Sequence, residues 1–112
     1  MFDSPAHSVK FSHNWNGKLG NRVFATIRKH EDKKADYYKG LIGKKMGVEL
    51  SGFPYCMASP LSLEERIFKD LPKAFVQVDT GLEYSEACKV FSEFGIEQDT
   101  KVLIPTFRRM FP

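Results

Sequence analysis

The run Val23-Phe24-Ala25-Thr26-Ile27-Arg28 holds the residue types best suited to chemistry in this chain. It is a β-type run with a cation at one end, preceded by the polar-aromatic segment Phe11-Ser12-His13-Asn14-Trp15. Alternate side chains of a strand point to opposite faces. Val23, Ala25 and Ile27 are therefore expected on a core side, with Phe24, Thr26 and Arg28 on the other. A ring, a hydroxyl and a guanidinium on one face suit a cleft for a planar or anionic ligand. In such a cleft Arg28 grips a phosphate or a base edge, Thr26 hydrogen-bonds, and Trp15 or Phe24 stacks on a base. The plain alternatives are an ion pair between Arg28 and Asp79, and core packing for the lone Trp.

Other chemistry has no foothold. The sequence holds no Gly-rich phosphate loop, no GxSxG elbow and no HExxH. His7, His13 and His30 stand singly, without metal-ligand spacing, so neither a metal nor a cofactor is expected. His13, beside Trp15, is the one placed to join a site. Cys88 reads as a small buried helix residue, and Glu64, Glu65, Glu83, Glu86 and Glu93 as solvated helix faces. Cys56 and Cys88 are far apart and, with no sign of secretion, are expected as reduced thiols.

A chain of 112 residues is long enough for one domain, expected over 1–112, with a single core and no staples. Its 42% hydrophobic fraction and ten Phe argue for packing rather than disorder. The first ten residues show no apolar leader, and no run reaches membrane-span length, so a soluble, cytoplasmic protein is expected. Net charge is only +3 but uneven. Between Lys18 and Lys45 nine bases face three acids; between Glu64 and Asp99 nine acids face four bases. Lys29, Lys33, Lys34, Lys39, Lys44 and Lys45 are thus candidates for attracting an anionic partner, or simply solvated lysines.

The elements that must position these residues follow from pattern and punctuation. Strands are expected at Val9–Ser12, Val23–Lys29, Val48–Leu50, Phe53–Ala58 and Lys101–Arg108, with Pro105 placing the last at a sheet edge or bulge. Asn14–Asn21 reads as irregular or a helical turn, and Ala35–Leu41 as one weak helical turn. Ser62-Leu63-Glu64-Glu65 has capping-box spacing, and the stripe Leu63, Ile67, Phe68, Leu71 predicts a helix ended by Pro72. A second helix is predicted from about Leu82 to Phe94, opened by Thr80 and Glu83 and closed by Gly95. Ala74–Asp79 lies between the two. No repeat or linker divides the chain. Short strands with late helices make an α+β domain, with a small curled or barrel-like sheet and two or three flanking helices.

The order of these elements around Thr26-Ile27-Arg28, with Lys39-Gly40 to Leu50 in support, resembles an ASCH domain of the PUA-like superfamily over about Val9–Phe107. Phe-Ser-His-Asn-Trp-Asn and Asp79-Thr80-Gly81 further resemble phage or prophage-type members. The resemblance implies a small β-barrel with a cleft that binds RNA or nucleotide-like ligands. Some small members are amidohydrolases of an acylated cytidine, using a Lys three residues before the Thr, the Thr itself, and an acid near the late helix. Carried onto this chain, the Thr is Thr26, the Arg is Arg28 and the acid is Asp79. The Lys position holds Val23, which cannot act as a base, and Arg22 beside it is a poor proton carrier.

Three functions compete. The leading one is an RNA- or nucleotide-binding module with ligand-binding residues Trp15, Arg22, Phe24, Thr26, Arg28 and Asp79. The second is an amidohydrolase using Thr26 and Asp79. The third is an accessory protein of a mobile element that docks another protein through Phe107, Met110 and Phe111. No membrane partner is expected.

Overall fold

The computed structural model describes residues 7–110. Six strands form one mixed sheet: β1 (Ser8–Phe11), β2 (Val23–Ala25), β3 (Arg28–Lys29), β4 (Met46–Leu50), β5 (Phe53–Ile67) and β6 (Lys101–Met110). The helices are α1 (Asp32–Leu41), α2 (Lys73–Thr80) and α3 (Tyr84–Glu93), with 3-10 turns at Trp15–Gly20 and Phe68–Asp70. The strand order is β1-β4-β5-β6-β2, with β3 also on β6. The α+β class is as expected, but among the described residues no ladder joins β1 to β2 or β3, so the sheet is open rather than a closed barrel. Side chains bridge that gap instead: Phe11 meets Phe24 edge-on at 6.2 Å, and Arg28 Nη2 donates to the Lys10 carbonyl at 2.8 Å.

β6 divides two cores. Leu103 and Phe107 point into one, with Val9, Phe11, Phe24, Tyr38, Met46 and Val48. Val102 and Ile104 point into the other, with Ile27, Phe68, Val76, Ala87, Phe91 and Ile96. Period-2 alternation on a strand covered on both faces explains the continuous apolar run Val102-Leu103-Ile104. Phe107 is fully buried, so a C-terminal docking patch loses its first member; Met110 is partly exposed and Phe111 lies outside the described residues.

Three expectations need correction. The predicted helix at Ser62–Leu71 is instead the end of β5, paired antiparallel with β6 through Ile67, followed by the 3-10 turn Phe68–Asp70. Leu63 and Ile67 satisfy a period of two as well as of four, and pairing with the buried β6 decides between them. Ala74–Asp79 is helical: Pro72 precedes its first turn, and Gly81 at φ 73° ends it in the left-handed conformation. Pro105 lies in a central strand, not at an edge. Its carbonyl accepts the Thr26 N–H at 3.2 Å. Having no N–H to return, it leaves the ladder open at Thr26–Ile27, which splits the expected strand into β2 and β3.

The split keeps the alternation of faces: Ala25 and Ile27 pack in the second core, while Phe24 joins the first and Arg28 lies over its Phe11. Phe24 is core, stacked on Phe107 at 5.3 Å, whereas Val23 is 48% exposed because the second core reaches Ala25 and stops short of it. α1 is a full ten residues rather than one turn. α3 starts without a side-chain cap; the Thr80 hydroxyl instead donates to the Val76 carbonyl and accepts from the Leu82 N–H.

Candidate functional site

A cleft of about 560 Å³ opens where β1, β3, the 14–20 turn and the ends of α2 and α3 meet. Thr26, Arg28, Asp79 and Trp15 all line it, together with Lys29 and Lys34. Arg22 and Phe24 do not: Arg22 is exposed elsewhere, its carbonyl accepting the Arg109 N–H, and Phe24 is in the core. Lys33, Lys39, Lys44 and Lys45 are exposed on α1 and the turn after it, off the lining.

Arg28 is fixed from two directions. Its guanidinium carbon lies 4.7 Å from the Phe11 ring centroid, and one amine bonds the Lys10 carbonyl. That bond also covers an unpaired strand edge. Gly47 N–H donates to His7 and Ser51 N–H to Phe11, so the odd-numbered residues of β1 face β4 and the even ones face outward. Tyr37 occupies the outward groups of Ser8, as Arg28 does the carbonyl of Lys10. One N–H is thus committed, and the remaining donors of a planar, immobilised fork border the cleft. Burial pushes the Arg28 guanidinium below its ordinary value, against the attraction of Tyr38 and Asp79. The alternative of an Arg28–Asp79 ion pair does not form.

Asp79 pairs with Lys18 instead, Nζ to Oδ1 at 3.0 Å, each side chain only 8% exposed. Burial lowers the Lys18 ammonium from its ordinary value and raises the Asp79 carboxyl; their mutual attraction opposes both shifts, and Arg28 adds to the lowering at Lys18. Lys18 is the site residue that sequence reasoning missed, since it sits in an aperiodic turn far from its partner. The turn is locked locally and to α2. Asn14 Oδ1 accepts the Leu19 N–H at 2.9 Å, and Asn16 Nδ2 donates to the Val78 carbonyl at 2.8 Å. Asn16 and Gly17 both adopt positive φ, the tight reversal that aims Lys18 inward.

The Thr26 hydroxyl, on a residue 6% exposed at the break in the ladder, makes no hydrogen bond among the described residues. Its free valence borders the cleft. Trp15 packs edge-on against His13 at 5.2 Å on the β1 side. Val90, Phe91, Phe94 and Ile96 form an apolar wall at the end of α3. Over the whole lining five bases (Lys10, Lys18, Arg28, Lys29 and Lys34) stand against one acid, Asp79. Asp79 neutralises Lys18, and Glu31 holds Lys34 at 2.9 Å. Lys10, Arg28 and Lys29 keep no carboxylate partner among the described residues. An anion with a flat apolar part matches both walls.

An open mixed sheet with a cleft at this corner is the fold of an ASCH domain. The crystal structure of an ASCH domain from Lactobacillus crispatus JV V101 superposes with a TM-score of 0.59, at 16% identity, over 92% of this chain and 78% of that one. A DUF984 protein from Enterococcus faecalis V583 does so with a TM-score of 0.56, at 17% identity, over 82% of this chain and 63% of that one. No protein-family model matches the sequence, and neither does any curated protein. Among the described residues no helix is long and apolar enough to cross a membrane, and no group of acids, His and Cys is arranged to hold a metal. Both cysteines are free thiols.

Proposed function

We propose that the cleft binds RNA or a nucleotide-like ligand. The observation that carries this reading is Arg28: a guanidinium fixed on Phe11, with donors to spare, beside an unbonded hydroxyl and an aromatic wall. Phosphate takes the fork of Arg28 and the charges of Lys10 and Lys29, the Thr26 hydroxyl bonds a base or sugar, and Trp15 stacks. Anisotropy of a labelled single-stranded RNA tests it. Three lining cations with no carboxylate partner among the described residues imply a slope of log K against log salt of about −2, from about −0.7 per phosphate on a single strand. Arg28→Ala lowers affinity and takes about 0.7 from that slope. No retention of RNA at low salt ends this reading.

A second reading has one specific observation in its favour. The amine missing at Val23 has a counterpart in Lys18, which lines the cleft with Thr26 and is bonded to Asp79. In an amidohydrolase, Thr26 Oγ attacks the amide carbon of an acylated nucleoside while its proton passes to the neutral amine of Lys18. That proton then reaches the leaving amine with Asp79 as relay, and water hydrolyses the acyl-threonine. The low ammonium value that burial imposes on Lys18 favours the neutral amine this step requires. Incubation with acylated cytidine, followed by chromatography, tests it. Absence of turnover at high protein concentration, or turnover unchanged in Thr26→Val, retires it.

A further inference from the structure

We propose that Phe94 is a second base-stacking platform and that the cleft takes a single-stranded oligonucleotide in preference to a mononucleotide. This rests on the nucleic-acid reading above and deepens it.

Phe94 caps the C-terminal end of α3, directly after Glu93, where the chain must stop. The stop is made by its neighbours. Ile96 N–H donates to the Phe91 carbonyl and Gly95 N–H to the Ser92 carbonyl, with Gly95 at φ 80°, the bond pattern of a Schellman turn. Phe91 and Ile96 supply the accompanying apolar contact inside the second core. Helix termination therefore asks nothing of the side chain at 94. It is nevertheless a phenylalanine, 57% exposed, held on a rigid turn and lining the cleft. An aromatic ring left in water on a preorganised backbone loses the benefit of burial, and a stacking partner restores it.

The charge beside it specifies the partner. Lys29 Nζ lies 3.3 Å from where a Cβ on Gly95 would stand, so its ammonium sits at the turn that follows Phe94, at the carbonyl end of α3. Arg28, one residue earlier, reaches the other way to β1 and Phe11. Neighbouring residues of β3 thus serve opposite walls: Arg28 lies over Phe11, and Lys29 reaches the Gly95 turn on the wall that carries Phe94. The three lining cations without carboxylate partners among the described residues, Lys10, Arg28 and Lys29, match successive singly charged phosphodiesters rather than one terminal phosphate. Base stacking on two separate walls, with phosphates between, is how single strands are held without sequence preference.

Fluorescence anisotropy with a ladder of oligouridylates, from the mononucleotide to the octamer, tests this in the full chain. Affinity is expected to climb at least tenfold from mononucleotide to octamer. Phe94→Ala lowers octamer affinity about tenfold, the order found for loss of one stacked base. Phe94→Leu, which keeps apolar bulk and loses the π-face, behaves like Phe94→Ala, and Phe94→Trp retains binding. The ring is solvent-exposed, so the variants keep the wild-type melting temperature, which confirms their fold. Equal affinity for mononucleotide and octamer overturns the proposal, as does octamer binding indifferent to Phe94→Ala. Either result leaves the nucleic-acid reading standing, whereas failure of every length to bind removes both.

Discussion

Replacing Lys18 by Met isolates the Lys18–Asp79 pair, and the structure sets both the size and the pH dependence of the effect. The pair is nearly inaccessible and 3.0 Å apart, so removing the ammonium leaves a carboxylate without its partner in a poorly solvated site. Breaking a buried pair costs about 3–5 kcal/mol, and the lower end applies because the cleft admits water. For a domain of this size, about 3 kcal/mol lowers the melting temperature by about 12 °C. In the variant the Asp79 carboxyl loses the attraction that opposes its upward shift and rises further above its ordinary 3.8. A folded value above the unfolded one means the folded state holds its proton more tightly. Stability from that proton is present at low pH and is lost as pH rises through the folded value. The deficit of Lys18→Met against wild type is thus larger at about pH 7 than at about pH 4, because acidification favours the proton that the raised carboxyl holds. Lys18→Met with Asp79→Leu, which removes both charges, recovers to within about 1 kcal/mol of wild type. Urea denaturation of the three proteins at both pH values measures this. A Lys18→Met deficit below about 1 kcal/mol, or one that grows on acidification, refutes the reasoning.

Phe24→Ala removes a ring stacked on Phe107 and met edge-on by Phe11 and costs about 3–5 kcal/mol in chemical denaturation, whereas Val23→Ser stays within about 0.5 kcal/mol. Gly81→Ala forces a Cβ to 3.1 Å from Asn16 at φ 73°, so it costs about 1–3 kcal/mol and loosens the 14–20 turn, seen as faster amide exchange at Leu19. Arg28→Lys keeps the charge but loses the planar fork and its seat on Phe11, so RNA affinity falls nearly as far as in Arg28→Ala while the fold persists.

Thr26 and Arg28 were recognisable before the fold from their alternation on a strand, and Asp79 from the resemblance to an ASCH domain. Which of them touch was not. The sequence suggested Arg28 against Asp79, and the folded chain pairs Asp79 with Lys18, a residue with no periodicity or motif to mark it. Phe24 resembled a stacking ring for the same reason that it makes good core: an aromatic on a strand suits either face, and only the neighbours decide. The capping-box helix at Ser62 shows the same ambiguity, where local spacing fitted one structure and pairing with a distant strand imposed another.

Composition and local pattern determined an α+β domain with a basic first half, strand segments on either side of Thr26-Ile27, and a late helix closed by glycine. These are properties of neighbouring residues, set by backbone sterics and the period of apolar side chains. Tertiary structure alone decided that the sheet stays open, that Pro105 breaks the ladder beside Thr26, and that Lys18, Arg28 and Phe94 meet around one cleft. Those outcomes depend on which distant segments bury one another, and short-range pattern does not encode that choice.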